Sequence, residues 1–358
     1  MKYKYIILML LVLTIVYAET TVENFLPGIT LKYGNKTTVI DEPDIIYVDV
    51  FPENCSKLGF VYMPGYGYDF LKETIQFTDY EGWALGIAYS RNDNFEFALQ
   101  DMTIFIEEAS KQKLTPIIRI LGNNWQQEVM PVDTVVNFIN NLSKATNNHI
   151  TYIQIWDKPN IIFGDNKAFE NPKDYADYIV NIKNKLNNSD IKIISGSLSL
   201  GKAGKVGEND RIDANSYLSG LLNINEFWQS INYWGSSVYN AKVNGKENCI
   251  TSENIEFYKD QQLCMDNIYG YRWELEKIKQ STNKTFEVIL TEIGYPISLE
   301  NMGKTKELLY LVKSDPYVKS GLIFIANGWD VWQNSAWFDK ENRSLSGYAY
   351  QISDAVCS

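Results

Sequence analysis

From residue 58 onward, short runs of apolar and β-branched residues alternate with longer segments in which apolar positions recur every three or four residues. The short runs predict strands at Gly59-Phe60-Val61-Tyr62, Ala84 to Tyr89, Pro116 to Leu121, Tyr152 to Trp156, Ile191 to Ser195, Tyr233 to Tyr239, Val288 to Ile293 and Leu322 to Ala326. Between them Ala98, Met102, Phe105, Ile106 and Ala109 share one helical face, as do Val132, Val135, Val136 and Ile139, and then Tyr175, Tyr178, Ile179, Ile182 and Leu186. Asn171 before Pro172 supplies a cap and a first-turn proline for the last of these. Strands alternating with helices predict a parallel sheet wrapped by helices, either a closed barrel or an open doubly wound sheet.

No Gly-x-Gly-x-x-Gly follows a strand, and the pairs Gly201-Lys202 and Gly204-Lys205 lack phosphate-loop spacing, so residues 201–210 read as a mobile turn. Without an internal repeat, low-complexity tract or linker, one domain is expected over residues 58–358, with an inserted loop at about 240–266. Residues 19–57 are polar with short apolar stretches such as Ile45-Ile46-Tyr47-Val48, and read as an N-terminal extension or cap. Ahead of them Lys2 and Lys4 precede an apolar run from Ile6 to Val16 and then Val16-Tyr17-Ala18, the pattern of a secretory signal over residues 1–18. The run is short for the ~20 residues a bilayer span needs, and no second run follows, so no membrane span is expected once the signal is cleaved.

An exported chain changes the meaning of its charge and cysteines. Losing two lysines with the signal moves the net charge from −11 to −13, which fits no polyanion-binding role and excludes nucleic acid as a partner. Hydrophobic residues at 45 % and charged residues at 22 % suit a large folded core rather than disorder. Four cysteines without a Cys-x-x-Cys pair point to disulfides: Cys249 with Cys264 within the inserted loop, and Cys55 with Cys357 between the two ends of the domain. Sequons start at Asn35, Asn54, Asn141, Asn187, Asn283 and Asn342, the pattern of a glycoprotein with exposed acceptor sites. The lone histidine, His149, falls in a turn before the fourth strand and reads as a surface residue. With it isolated and no cysteine cluster, neither a transition-metal site nor a cofactor is expected.

In a barrel of this kind chemistry sits where a strand's apolar run gives way to polar residues at its C-terminal end. Two such ends stand out: Ile153-Gln154-Ile155-Trp156-Asp157-Lys158-Pro159-Asn160 and Val288-Ile289-Leu290-Thr291-Glu292-Ile293-Gly294-Tyr295-Pro296. Here the chain resembles the clan A glycoside hydrolases, whose fourth strand ends in Trp-Asn-Glu-Pro and whose seventh ends in Thr-Glu-x-Gly. The resemblance spans about residues 58–345 and implies a closed (β/α)₈ TIM barrel. It places Glu292 at the nucleophile position, Lys158 where the acid/base glutamate belongs, and Asp157 where an asparagine would contact the sugar 2-hydroxyl. It also places Ser237 and Tyr239 on the sixth strand, Tyr239 where a residue orients the nucleophile, and Trp329 beneath a sugar ring.

The substitution matters because retaining glycosidases use two carboxyl groups ~5 Å apart, one to attack the anomeric carbon and one to protonate the leaving oxygen. A lysine ammonium with a reference pKa of ~10.4 is a poor proton donor at neutral pH, and an ionised glutamate beside it holds the proton more firmly. The resemblance therefore implies a secreted or cell-envelope barrel that recognises oligo- or polysaccharide, with hydrolysis lost or strongly altered. Two alternatives stand beside it. One is an active retaining β-glycosidase or transglycosidase whose proton comes from Asp157, Glu128 or Asp330. The other is a structural cell-envelope protein with a filled barrel mouth. Strand alternation argues against Asp157, because adjacent side chains face opposite ways. Candidate substrate contacts are Arg119, Trp125, Trp156, Asn160, Tyr239, Trp329 and Trp332, with Arg119 bracing a carboxylate and the indoles stacking on sugar rings. Trp234, Trp337, Tyr62, Tyr66 and Tyr68 are further aromatic candidates for the mouth, with core packing as the competing reading.

Overall fold

The computed structural model describes residues 29–33, 36–37, 46–48, 55–63, 68, 70–78, 81–88, 94–122, 126, 128–164, 166–200, 202–239, 241, 267–326, 336–339 and 344–357. The chain divides into two compact units, residues 1–52 and 53–358. In the first, Ile29–Tyr33 pairs antiparallel with Lys36–Thr37 and parallel with Ile46–Val48, so the apolar stretch near Ile46 joins a small three-stranded sheet. The boundary falls five residues before the one expected from the hydrophobic pattern. The signal segment, residues 1–18, lies outside the described residues.

The second unit is a (β/α)₈ barrel. Its strands are β1 (Leu58–Tyr62), β2 (Gly82–Ala88), β3 (Leu114–Ile120), β4 (Tyr152–Ile155), β5 (Lys192–Ile194), β6 (Trp234–Tyr239), β7 (Val288–Gly294) and β8 (Val318–Ile323). They pair in parallel in the order β6-β7-β8-β1-β2-β3-β4-β5, and an isolated parallel bridge between Ile194 and Tyr233 joins the two ends of the sheet. Each predicted strand is present, the eighth beginning at Val318, four residues before the expected Leu322, and the strands read as nearly continuous apolar runs because both of their faces are covered.

Helices fill the crossovers that parallel pairing demands. They include α1 (Leu71–Thr78), α2 (Phe95–Lys111), α3 (Val132–Ala145), α4 (Pro172–Lys185), α5 (Ala214–Leu222), α6 (Asn225–Ser230), α7 (Gly270–Thr282), α8 (Met302–Ser314) and α9 (Gly347–Cys357). Helix α2 starts where the Asn94 side chain accepts from the Phe97 amide, and it buries the five residues expected from its periodicity. In α4, Asn171 caps by accepting from the Lys173 amide, with Pro172 in the first turn. None of the described helices is long and apolar enough to cross a membrane.

The barrel interior is filled by Val61, Leu85, Ile87, Ile117, Ile194, Ile289 and Leu322. At the base, where the strands begin, Trp83 packs against Tyr152 at 5.1 Å and Tyr152 against Tyr233 at 5.6 Å. This apolar column leaves the upper interior, at the strands' C-terminal ends, as the place where polar side chains collect. The disulfide joins Cys55, just before β1, to Cys357 in α9, with Cα atoms 5.4 Å apart. Cys249, Cys264 and the inserted loop except Ala241 lie outside the described residues.

Residues 201–210 depart from the expected turn. Gly204–Val206 and Asn209–Arg211 form a hairpin, and its second strand pairs with Ile161–Ile162 from the loop after β4. The hairpin is closed by backbone pairing and by an exposed Lys205–Asp210 ion pair of 2.8 Å, with Gly204 in its first strand and Gly207 in its turn. Gly207, at φ 60°, lies in the left-handed region that the tight turn requires.

Candidate active site at the barrel mouth

Four charged side chains from three strands meet inside the barrel mouth. Arg119 lies on β3, Asp157 and Lys158 follow β4, and Glu292 lies on β7. Lys158 Nζ is 2.5 Å from Glu292 Oε2 and 3.3 Å from Asp157 Oδ2. Arg119 Nη1 is 2.8 Å from Glu292 Oε1 and 3.5 Å from Asp157 Oδ2. Cation and anion thus alternate around a closed ring with no net formal charge. Removing such charges from water costs several kcal/mol each, and only mutual pairing with further hydrogen bonds offsets that cost.

Those further bonds are present. Arg119 Nε donates to Gln154 Oε1 at 2.7 Å and its Nη2 to the Thr291 carbonyl at 3.2 Å. The Ser197 hydroxyl donates to Asp157 Oδ1 at 2.6 Å, and Gln126 Nε2 donates to the Asp157 carbonyl at 2.6 Å. The Ser237 hydroxyl donates to the Glu292 carbonyl at 3.3 Å. Burial opposes ionisation of Asp157, yet Arg119, Lys158 and the Ser197 hydroxyl outweigh it and hold this carboxyl below the usual range. Burial likewise disfavours the Lys158 ammonium, but Asp157 and Glu292 keep its pKa above that of an ordinary lysine. Arg119 is shifted the same way, with burial opposed by Asp157 and Glu292.

Simple strand alternation would send Asp157 and Lys158 to opposite faces. Both reach the ring because β4 ends at Ile155 and the backbone then enters the left-handed region twice, at Trp156 (φ 66°) and Lys158 (φ 48°). Residues other than glycine pay about 1–2 kcal/mol for such a conformation. Here the Trp156 amide donates to the Ile120 carbonyl at 2.9 Å and the Lys158 amide to the Ser197 carbonyl at 2.8 Å, which hold the segment in place. Backbone strain of this kind concentrates at functional sites.

The structure brings Arg119, Asp157, Lys158 and Glu292 together and sends two other candidates elsewhere. Trp156 is buried among Gly122 and Phe169, with its ring edge-on to Phe169 at 5.0 Å, so its indole is core rather than a sugar platform. Asn160 is fully buried and its amide is consumed: it donates to the Ser199 and Ile212 carbonyls at 2.9 and 3.0 Å and accepts from the Ser199 amide at 2.8 Å. Asn160 therefore ties down the base of the hairpin after β5. Trp234, Trp337 and Tyr62 are also core. Tyr239 is half-buried against Phe324, with ring centres 5.3 Å apart. Tyr68 packs against Phe105 at 5.1 Å. Glu128 and His149 are exposed. Trp125, Trp329, Trp332, Tyr66 and Asp330 lie outside the described residues. Among those described, no three His, Cys, Asp or Glu side chains cluster as a metal site.

Gln154, Ser197 and Gln126 escaped the sequence reading. A signal existed for Gln154, the single polar residue in Tyr152–Ile155 after its first position and the register partner of Arg119. Ser197 sits in an irregular segment where no periodicity marks a facing direction, and no apolar period in the sequence around Gln126 singled it out.

No protein-family model matches the chain, and no curated protein matches it in sequence. Solved structures do. A family 51 α-L-arabinofuranosidase from Bifidobacterium longum aligns with a TM-score of 0.57 at 9 % identity, covering 85 % of this chain and 73 % of that one. A family 39 glycoside hydrolase from Bacteroides cellulosilyticus WH2 aligns with a TM-score of 0.56 at 16 % identity, covering 85 % of this chain and 64 % of that one. A GH30 endoxylanase from Clostridium papyrosolvens C71 aligns with a TM-score of 0.55 at 9 % identity, covering 86 % and 72 %. The chain thus spans just under two thirds of the family 39 structure. In fold, this chain is a (β/α)₈ barrel like those of the glycoside hydrolases.

Proposed function

We propose that the protein is a secreted carbohydrate-recognising barrel whose glycoside hydrolysis is lost or strongly altered. The observation that carries this reading is the 2.5 Å ion pair between Lys158 and Glu292. Glu292, at the nucleophile position, is engaged by two cations, and Lys158 stands where a carboxyl would protonate the leaving group. An ammonium whose pKa is held above the ordinary lysine value is a weak general acid at neutral pH. Loss of general-acid help alone slows such a reaction by about 10²- to 10⁴-fold. Export rests on the apolar N-terminal segment. The test is turnover of purified protein on β-linked oligosaccharides and aryl glycosides. Absent or very slow cleavage is expected, and robust cleavage abolished by Glu292→Gln would overturn the reading.

A second reading, an active retaining enzyme with Asp157 as proton donor, has one geometric point in its favour. Asp157 and Glu292 share both cations, so their nearest oxygens lie within about 6 Å, close to the spacing of a retaining pair. Its ionisation argues the other way: a carboxyl held below the usual range is an anion at neutral pH and has no proton to give. The same assay separates the two, because only this reading loses turnover in Asp157→Asn.

A further inference from the structure

The four members of the ring are not equally reachable. The side chains of Arg119, Asp157 and Glu292 are 3 %, 8 % and 7 % exposed, whereas that of Lys158 is 26 % exposed. Of the four, the Lys158 side chain is therefore the one that solvent, or anything entering the mouth, meets first. An ammonium carries three N–H donors. Glu292 Oε2 accepts one of them, and Asp157 Oδ2 stands 3.3 Å away as an ion-pair partner that faces a second.

We propose that the third N–H of Lys158 is a ligand contact: it donates to an uncharged oxygen, a hydroxyl or acetal oxygen of a saccharide seated in the mouth. The inference rests on the carbohydrate-recognising reading above and names which group makes the contact and what it accepts. The acceptor is uncharged because the ammonium is already shared by two carboxylates. A ligand carboxylate placed on it would give the neutral ring a net negative charge and set a third carboxylate against two that already share both cations, whereas a neutral oxygen adds a hydrogen bond without adding charge. A ligand cation would have Arg119 and Lys158 against it while both ring carboxylates are already saturated. Lys158 is also a fixed donor rather than a mobile one. Its backbone amide is bonded to Ser197, its carbonyl accepts from Ile161 at 2.9 Å and its ammonium is held between Glu292 and Asp157, so the N–H is presented with little conformational freedom left to lose on binding. Since Asp157 and Glu292 hold the ammonium protonated, the contact persists across neutral pH.

The test is calorimetric titration of the full protein with neutral hexasaccharides (cello-, manno-, xylo- and laminari-linked) and with oligogalacturonate. Wild type is expected to bind at least one neutral sugar, to bind oligogalacturonate at least tenfold more weakly, and to keep its affinity from pH 6 to 9. Lys158→Met should lose about tenfold or more for that sugar, while Lys158→Gln, which keeps a neutral donor, should stay within about threefold of wild type. Should Lys158→Met unfold, the preference of wild type between the neutral hexasaccharides and oligogalacturonate still decides the matter. Unchanged affinity in Lys158→Met, or a preference for oligogalacturonate, overturns this inference and leaves carbohydrate recognition standing. Wild type that binds none of the sugars overturns both.

Discussion

Replacing Lys158 by glutamate is the sharpest perturbation of the mouth. It deletes the contacts of 2.5 and 3.3 Å to Glu292 and Asp157 and puts a third carboxyl beside them, leaving Arg119 as the ring's only cation. The ring passes from neutral to two net negative charges. Breaking a buried ion pair from one side costs about 3–5 kcal/mol. Lys158 is a quarter exposed, so water reaches the position and the lower end, about 3 kcal/mol, is expected. For a barrel of this size that corresponds to a fall in Tm of about 5 °C.

The effect carries a pH signature. Three carboxyls cannot all stay ionised around one guanidinium, so one of them binds a proton with a pKa above its unfolded value of about 4. A pKa raised by folding means that the stability is retained below about pH 4 and lost as pH rises through the raised value. The variant should therefore melt about 5 °C below wild type at pH 8 and within about 2 °C of it near pH 5, read by scanning calorimetry in matched buffers. The same protonated carboxyl is what a retaining site needs, so at pH 5–6 the variant should cleave a neutral β-linked oligosaccharide about 10²- to 10⁴-fold faster than wild type. Equal melting temperatures at pH 8 would refute the reasoning at its root, since a closed ring cannot lose its exposed cation without cost.

Further predictions concern single groups elsewhere. Glu274 on α7 is fully buried, and burial pushes its carboxyl up to about 7 against the opposing pull of Ser236 and Trp234. Its stability contribution is present below the unfolded value of 4.5 and lost as pH rises through about 7. Glu274→Gln should hence exceed wild type by about 2–3 kcal/mol in urea denaturation at pH 8.5 and match it near pH 4.5, and no gain at pH 8.5 would contradict this. Ser197→Ala removes the hydroxyl that donates at 2.6 Å to Asp157 and should cost about 1.5–3 kcal/mol of stability, measured the same way. For Asp157 the sign is reversed. Its stability contribution is present above about pH 3.9 and lost as pH falls through its lower folded value, so Asp157→Asn should flatten the acid limb of a Tm-against-pH curve. Cys357→Ala opens a link spanning 302 residues and should cost about 2–5 kcal/mol, with saccharide binding at the opposite end of the barrel unchanged.

The amino-acid pattern alone determined the strands, the helical faces of α2 to α4 and the parallel arrangement, because burying both faces of a strand or one face of a helix imposes a period that survives in the sequence. Glu292 and Lys158 were legible too, since each stands where an apolar run ends in charge. The tertiary structure decided what those residues touch. Periodicity cannot say that Asp157 and Lys158 turn to the same side, because that depends on left-handed backbone at Trp156 and Lys158, stabilised by partners on β3 and after β5. Nor can it separate Trp156 and Asn160, which the fold spends on packing and on pinning a hairpin, from Gln154 and Ser197, which it recruits to the ion ring. Local sequence sets the conformational period of each segment; the choice of partner is made by chain segments up to 173 residues apart, which only closure of the barrel brings within bonding distance.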